Sequence, residues 1–178
     1  YRSLTMKDSS YLKMVAEEWR LFRDGIPLGS SPTVRRLILD SWRRSRDALG
    51  VRDPIASVLP LRGDELTRKL DENRELITGA RPVMEQYRAL LQSTNSVFLL
   101  ASSDGVILYR HGAPGIIARM EHLDVGVVAT EDREGTNGIS LCIMEKRPVE
   151  VSAPNTIMRR ITAGAAFRAA AQRKRFFV

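Results

Sequence analysis

Residues 96–109 read SVFLLASSDGVILY, and this stretch decides the fold class. The uninterrupted apolar run Val97–Leu100 predicts a strand that is covered on both faces. The polar turn at 102–105 and the second apolar run, Val106–Tyr109, predict the returning strand of an antiparallel hairpin. A sheet therefore follows the helical patterns of the first half of the chain, and we expect an α+β fold.

Two amphipathic helices are predicted in the first fifty residues. The first begins after Ser9 and ends at Gly25. Its apolar positions recur at spacings of three and four: Leu12, Val15, Trp19 and Phe22. The second begins at an N-cap on Ser31 and ends at Gly50. We assign residues 1–63 to an N-terminal helical region.

The second helix is rich in arginine, with Arg35, Arg36, Arg43, Arg44 and Arg46. Asp40 and Asp47 each stand four residues from an arginine, so their carboxylates would neutralise part of the positive charge. One interpretation is a solvated helix face with internal ion pairs. The other is a face that contacts DNA.

Residues 64–93 predict a linking helix whose inward positions alternate spacings of four and three. These positions are Leu66, Leu70, Asn73, Ile77, Ala80, Met84, Tyr87 and Leu91. Such a four-heptad seam favours pairing with a second copy, and Asn73 would fix the register of the pair. Gly79 and Pro82 predict a kink or a split near the middle. Alternatively, the seam packs against the chain's own sheet or helices.

Short elements are predicted beyond the hairpin. Pro114 opens a short helix through Met120, and a loop follows from His122 to Arg133.

A tight turn at 135–138 then lets Thr136 or Asn137 cap a further helix. The inner face of that helix would carry Ile139, Cys142 and Ile143. Arg147 and Pro148 end it, and residues 149–151 predict a third strand.

Several motifs resemble those of one protein family. The first set is LDSWRRSR at 39–46, DENREL at 71–76 and ARPV at 80–83. It resembles the N-terminal region of acetoin- and glycerol-type activators, bacterial enhancer-binding regulators that work with sigma-54 RNA polymerase. The second set is SDGVIL at 103–108, EGTNGI at 134–139 and RPV at 147–149. It resembles the GAF sensor domain of those regulators, and together the two sets cover residues 33–154.

The resemblance implies a partial GAF-like sensor domain at residues 94–158, with a pocket for a small-molecule effector between one face of its sheet and the adjoining helices and loops. The last strands of that sheet are either missing or supplied in an unusual way. The apolar wall of the pocket would come from Val97, Leu99, Val127, Ile139 and Cys142. The polar anchors would be Thr130, Thr136 and Asn137.

Three of these residues also have simpler structural interpretations. Thr136 and Asn137 are of the types that cap helices. Cys142 fits a small buried apolar residue better than a redox sensor or a heme ligand. The apolar wall has the same composition as a filled core.

The sequence departs from the family pattern in three places. Ala129 stands where the family has a tryptophan ahead of the acidic pair. After Pro154 an arginine- and alanine-rich stretch replaces the remaining strands, and residues 163–171 predict a short helix over exposed apolar surface. The family's ATPase and helix-turn-helix domains are absent from this sequence.

Residue counts disfavour several kinds of chemistry. The single cysteine cannot form an internal disulfide or a thiolate metal cage, and two histidines supply a metal-dependent enzyme poorly. The turn at 135–138 lacks the lysine of a phosphate-binding loop. Glu131, Asp132 and Glu134 fit a solvated loop better than a metal site. We predict no catalytic residues, no cofactor and no metal.

The sequence also predicts a cytoplasmic chain without membrane contact. No apolar run approaches the roughly 18 residues that a spanning helix needs, and no signal-peptide pattern opens the chain.

The functional prediction rests on the net charge and the motifs. The net charge is +7, and residues 159–178 hold six basic residues and no acidic one, so the charge belongs mostly to a basic tail. We predict the sensory region of a sigma-54-dependent type of transcriptional regulator, which binds a small metabolite and signals through a helical homodimer. One alternative is a ligand-free module that only pairs chains, and another is nucleic-acid binding through the arginine helix and the basic tail.

Overall fold

The computed structural model describes residues 9–49, 59–119, 123–152 and 166–169. These residues form eight helices and four short strands, so the predicted α+β class is confirmed. In chain order the elements are α1 (Ser9–Arg23), α2 (Arg36–Leu49), α3 (Gly63–Glu72), α4 (Arg74–Gln86), α5 (Arg88–Ser93), β1 (Val97–Ala101), β2 (Ile107–Gly112), α6 (Pro114–Ile117), α7 (Glu131–Glu134), α8 (Gly138–Glu145), β3 (Val149–Ser152) and β4 (Ala166–Ala169).

The chain divides into two compact units. The first unit joins Tyr1–Arg52 to Glu134–Val178, and the second unit is Asp53–Arg133. The boundaries that the sequence places after residues 63, 93 and 158 remain predictions.

Helix α1 spans the residues that its pattern predicted, but helix α2 begins at Arg36, so the predicted N-cap at Ser31 is wrong. The Glu18 carboxylate of α1 accepts hydrogen bonds from the backbone N–H groups of Thr33 at 2.5 Å and Val34 at 2.7 Å. A carboxylate of α1 therefore accepts from the two backbone N–H groups that a side-chain cap at Ser31 would have bonded.

The core of the first unit is built around Trp42 of α2. Its ring centroid lies 5.1 Å from that of Trp19 and 5.6 Å from that of Phe22. The buried members of this core are Val15, Phe22, Val34, Ile38, Trp42, Leu141, Val149 and Val151.

Helix α8 starts at the predicted turn, but its predicted inner face is only partly right. Cys142 is buried together with Leu141, whereas Ile139 and Ile143 are half-exposed. Because α8 carries apolar residues on every side, its periodicity selects no single inner face. Lys146, with φ of 52°, ends the helix one residue before Arg147.

Strand β3 confirms the predicted third strand and pairs antiparallel with β4, with Val151 opposite Phe167. The predicted short helix at 163–171 is therefore wrong for residues 166–169. Backbone pairing along the edge of β3 outweighs the helix preference of alanine, because strand formation depends strongly on tertiary context. The other residues of that stretch lie outside the described residues.

In the second unit, the predicted helix at 64–93 is interrupted twice and forms α3, α4 and α5. The interruptions fall at Asn73 and Tyr87, whereas Gly79 and Pro82 lie inside α4, so a split at Gly79 and Pro82 is wrong. At each interruption the backbone N–H bonds a carbonyl three residues back, which makes a tight 3₁₀-type turn. The Asn73 side-chain amide then donates to the Lys69 carbonyl at 2.9 Å.

The seam of these helices lies against the chain's own hairpin, as the second interpretation of the seam predicted. Its members from Leu66 to Met84 are half-buried, and Leu91 is buried. The hydroxyl of Tyr109 on β2 also donates to the Glu85 carboxylate on α4 at 3.0 Å.

Strands β1 and β2 form the predicted antiparallel hairpin, with Leu99 opposite Arg110. Strand β2 is the inner strand, because Ile107 also exchanges backbone hydrogen bonds of 2.8 Å with Gly126 and Val127. No residue of β1 is buried, so the prediction that this strand is covered on both faces is wrong. Among the described strands, β1 lies at the edge of its sheet.

Gly112 holds the two strands close together. A Cβ added there would lie 2.6 Å from the Ser96 carbonyl oxygen and 2.7 Å from the Val97 Cα. A side chain at this position would push β1 away from β2.

The short elements after the hairpin differ from prediction at their ends. Helix α6 begins at Pro114 as predicted but ends at Ile117. Met120 and His122 lie outside the described residues. The predicted loop that ends at Arg133 contains the first three residues of α7.

Candidate functional site

A buried cluster of hydroxyl groups joins α2 to the turn before α8. The Ser41 Oγ donates to Thr136 Oγ1 at 2.8 Å, and the Ser45 and Thr136 hydroxyls lie 3.3 Å apart. All three side chains have no exposed surface. Ser41 and Ser45 are four residues apart and so lie on one face of α2, which allows both to reach the same threonine.

Asn137 acts as the N-cap of α8, as one interpretation of the sequence predicted. Its Oδ1 accepts a hydrogen bond from the Ser140 N–H at 2.9 Å, and its Nδ2 donates to the Gly135 carbonyl at 2.9 Å. The side chain is 1% exposed. Both ends of the amide are therefore used inside the protein.

Next to this turn, burial raises the pKa of the Glu134 carboxyl above its usual value. The Cys142 Sγ donates to the Arg147 carbonyl at 3.4 Å and is buried. A buried thiol that faces a backbone carbonyl fits the interpretation of Cys142 as a small apolar residue.

The other predicted pocket residues lie in the second unit. Val97 and Leu99 are half-buried on β1, Val127 is buried, and Thr130 is half-buried. The Thr130 methyl lies 3.1 Å from the position of a Cβ on Gly105, whose φ of 84° makes the hairpin turn.

The eight predicted site residues thus divide between the two units. Thr136, Asn137, Ile139 and Cys142 belong to the first, and Val97, Leu99, Val127 and Thr130 belong to the second. Two clefts of the second unit are described below, and neither is lined by any of the eight.

The larger cleft, of about 300 Å³, runs along α3. It is lined by Leu61, Glu65, Arg68, Lys69, Glu72, Asp104, Val106, Val128 and Arg133. Three apolar side chains stand among three acidic and three basic ones. A cleft of this kind suits a small polar molecule with an apolar body better than a purely apolar ligand.

An ion pair crosses this cleft. Lys69 Nζ lies 2.6 Å from an Asp104 oxygen and 3.7 Å from Glu72. The hydrogen bond to Asp104 raises the pKa of Lys69. Burial acts to raise the pKa of Asp104, but hydrogen bonds from Lys69 and Ser102 outweigh it, and the pKa of Asp104 is lowered.

The cleft also has three charged residues outside the ion pairs of Lys69. Among the described residues, no ion pair involves Glu65, Arg68 or Arg133. The guanidinium groups of Arg68 and Arg133 are donors of the kind that can bond an anionic group.

The second cleft, of about 270 Å³, lies between α3, α4 and β2. It is lined by Leu70, Asp71, Arg74, Ile77, Thr78 and Leu108. Two of these residues, Leu70 and Ile77, belong to the predicted seam, so this groove is the place where the seam faces the hairpin.

Sequence reasoning missed Ser41, Ser45 and the charged residues of the larger cleft. The serines stand four apart between apolar positions of α2, a spacing that places both near its inner face. No local signal marks the cleft, because its lining comes from five separate segments of the chain.

Two searches of the described residues concern membranes and metals. None of the helices there has the length and hydropathy that a bilayer crossing requires. No group of three or more histidine, cysteine, aspartate or glutamate residues in that part of the chain is arranged to hold a metal ion.

The chain was compared with protein families, with curated proteins and with solved structures. No protein-family model matches the chain. It is 26% identical over 140 residues to the acetoin dehydrogenase operon transcriptional activator AcoR of Bacillus subtilis (strain 168), a match that covers 76% of this chain and 22% of AcoR. The chain therefore spans about a fifth of the curated relative that it matches.

A chain in the crystal structure of the E. coli DhaR(N)–DhaL complex has the same fold. The TM-score is 0.62 at 19% sequence identity, and the alignment covers 70% of this chain and 43% of that chain. At this identity the likeness shows the fold alone.

Proposed function

We propose that this chain is the sensory region of a sigma-54-dependent type of bacterial transcriptional regulator, which binds a small metabolite and signals through a homodimer. The observation that carries the proposal is the similarity to the activator AcoR over 76% of this chain. The fold shared with a chain of the DhaR(N)–DhaL complex supports it. The proposed role is binding and signalling rather than catalysis, and it places the protein in the cytoplasm.

The GAF-like effector contacts that we propose are the eight residues that the family resemblance implies. Those in the second unit include Val97 and Leu99 of the hairpin, and those in the first unit include Thr136 and Asn137 of the turn ahead of α8. Thr136 already accepts a hydrogen bond from Ser41 inside the first unit. An effector that bonds Thr136 would therefore alter the hydrogen bond that joins this turn to α2.

The signal we propose is a shift between two packings of the helices α3 to α5. A metabolite that binds one packing more tightly than the other moves the population toward it, and a metabolite that binds both equally transmits nothing. The ATPase and DNA-binding domains of the family would respond on a longer parent chain.

An exposed apolar stripe supports pairing of two chains. It consists of Val83, Tyr87 and Leu90, which recur at spacings of four and three along α4 and α5 and are 47–53% exposed. Tyr87 is also a member of the seam, so at this position the seam itself is exposed and available to a partner.

The arginines of α2 favour the solvated interpretation over nucleic-acid binding. Arg43 donates to the Asp40 carboxylate at 2.9 Å, and Arg36 lies 3.7 Å from the same residue. The Arg46 guanidinium lies 4.8 Å from the ring centre of Phe22. These cations already have partners within the first unit.

A thermal-shift screen tests the sensing proposal. The unmodified chain and the Thr136→Val variant are melted with short diols, aldehydes, ketones, aromatics and organic acids, while light scattering gives the mass in solution. We expect one class to raise the Tm of the unmodified chain by a few degrees and that of Thr136→Val by less.

Two outcomes would count against the proposal. A dimer whose Tm no compound changes would favour the ligand-free pairing module. An equal rise in both proteins would return Thr136 to a purely structural role, with the ligand held elsewhere.

A further inference from the structure

The larger cleft of the second unit has an apolar floor between charged walls. Leu61, Val106 and Val128 form the floor, and the two valines pair in an isolated antiparallel bridge. Paired residues of neighbouring strands have their side chains on the same face of a sheet, so the valines form one continuous apolar surface. This floor suits the hydrocarbon part of a small molecule.

Contacts within the chain hold the walls of this cleft in place. Lys69 of α3 lies 2.6 Å from Asp104 of the hairpin turn, and the Ser102 hydroxyl donates to the same carboxylate at 2.5 Å. At the other end of the cleft, the Leu61 N–H donates to the Gly126 carbonyl at 2.9 Å. A ligand would therefore meet a site that is already shaped, which lowers the cost of binding.

Three charged side chains of the cleft are left without an internal partner. Lys69 takes part in the ion pairs described above, whereas Glu65, Arg68 and Arg133 form none within the part of the chain that the structure describes. Glu65 and Arg68 stand three residues apart on α3, so they lie on the same side of the helix. Arg133 comes from α7. Two guanidinium groups and one carboxylate fit a ligand that carries both a negative and a positive group.

An α-amino acid with an apolar side chain matches this set of groups. Its carboxylate accepts hydrogen bonds from guanidinium groups, whose planar fork suits a carboxylate. Its ammonium group is attached to the same carbon and needs an acceptor nearby, which Glu65 supplies about one helical turn from Arg68. A simple organic acid would instead place its charge beside the Glu65 carboxylate, and a simple amine would place its charge beside the two arginines.

We propose that the cleft along α3 binds a free α-amino acid with a short apolar side chain, such as valine. Arg68 and Arg133 bind the carboxylate, Glu65 binds the ammonium group, and the apolar floor contacts the side chain. The cleft volume of about 300 Å³ lies at the lower end for ligand pockets, which fits a ligand of this size. The site goes beyond the proposed function, because none of the eight proposed effector contacts lines it.

The first experiment titrates the unmodified chain with three compounds that share one apolar body. L-valine carries both charged groups, isovalerate lacks the amine, and isobutylamine lacks the carboxylate. Nuclear magnetic resonance follows the backbone amides. We expect L-valine to shift the amides of Val106, Val128 and Arg133, with a Kd about threefold or more below those of the other two compounds.

The second experiment repeats the titrations with variants of exposed residues, whose replacement leaves the core intact. Arg68→Gln and Arg133→Gln should weaken L-valine binding by about threefold to tenfold. Glu65→Gln should weaken L-valine binding but strengthen isovalerate binding, because it removes the acceptor for the ammonium group and the negative charge beside the acid. Arg88→Gln removes an exposed arginine of α5 outside the cleft and should bind as the unmodified chain does.

The outcomes separate this site from the proposed function. Isovalerate binding as tight as that of L-valine would overturn the amino acid as ligand. Equal L-valine affinities in the two arginine variants and in Arg88→Gln would overturn the cleft as its site. L-valine shifts confined to the amides of Thr136 and Asn137 would overturn this site and support the effector contacts of the proposed function. No shift with any of the three compounds would overturn this site and leave the proposed function standing.

Discussion

The hydroxyl of Ser41 donates a 2.8 Å hydrogen bond to the hydroxyl oxygen of Thr136, 95 residues further along the chain. Ser41 belongs to the motif LDSWRRSR and Thr136 to the motif EGTNGI. Two motifs that carry the resemblance to one family therefore meet inside the first unit, where neither hydroxyl reaches solvent. Their separation in sequence gives no hint of this contact.

Breaking this bond should destabilise the first unit. Thr136→Val keeps the shape of the side chain but leaves the buried Ser45 hydroxyl without its threonine partner, so we expect a loss of about 1–3 kcal/mol of unfolding free energy. Urea titration measures it. The double variant Ser41→Ala with Thr136→Val should lose less than the sum of the two single losses. Strict additivity would show that the two hydroxyls are not coupled.

Two substitutions of Asn137, the N-cap of α8, should lower the stability of the chain by different amounts. Asn137→Ala removes the acceptor for the Ser140 N–H and should cost about 1–2 kcal/mol. Asn137→Ser keeps a side-chain acceptor for that N–H and adds no buried charge, so its midpoint in urea should lie nearer to that of the unmodified chain. If both variants unfold at the same denaturant concentration, the cap is not what makes Asn137 important.

The Lys69–Asp104 ion pair predicts a pH window. The lowered pKa of Asp104 means that its contribution is fully present above its unfolded value of 3.8 and is lost as the pH falls through the lower folded pKa. The raised pKa of Lys69 means that its contribution is fully present below 10.5 and is lost as the pH rises through the higher folded pKa.

Asp104→Asn tests this window. The variant should be less stable than the unmodified chain between about pH 5 and pH 9, and the difference should shrink at either extreme. It should stay below about 1 kcal/mol, because the Asp104 side chain is 57% exposed and solvent screens the pair. Glu72→Gln is the control, since Glu72 lies 3.7 Å from Lys69 and should change stability less. A constant difference from pH 2 to pH 11 would contradict the assignment.

Two glycines of the second unit should respond in opposite directions to alanine. Gly126 has a φ of 93°, and a Cβ there would lie 2.6 Å from the Leu61 carbonyl oxygen. Gly126→Ala should therefore lower the unfolding free energy by about 1–3 kcal/mol. Gly79 lies inside α4 with no atom within 4 Å of an added Cβ, so Gly79→Ala should raise it by about 0.5–1 kcal/mol. Equal effects, measured by urea unfolding, would refute this account of the two sites.

The comparison of prediction with structure is clearest in the helices. The spacing of apolar residues located α1, because a helix that buries one face needs that period whatever it packs against. The start of α2 was missed, because Glu18 of another helix bonds the N–H groups of Thr33 and Val34, which the predicted cap at Ser31 would have bonded. The interruptions at Asn73 and Tyr87 were also missed, since they depend on how the helices follow the hairpin.

In the candidate site, too, only the features that depend on neighbouring residues could be predicted. The sequence marked Asn137 as a cap, because capping acts within three residues of the chain. It did not mark Ser41 as the partner of Thr136, and it gave no sign of the cleft along α3. Both depend on segments that are brought together only by folding.

By itself, the sequence determined that the chain is α+β, that a hairpin follows the helices, and that a turn at 135–138 caps a helix. These features rest on periodicity and turn chemistry, which act over a few residues. Tertiary structure alone decided that β1 is an exposed edge and that β3 pairs with residues 166–169. The physical reason is that burial and strand pairing depend on where distant parts of the chain return, and the local pattern of an apolar run is the same whether or not a neighbour covers it.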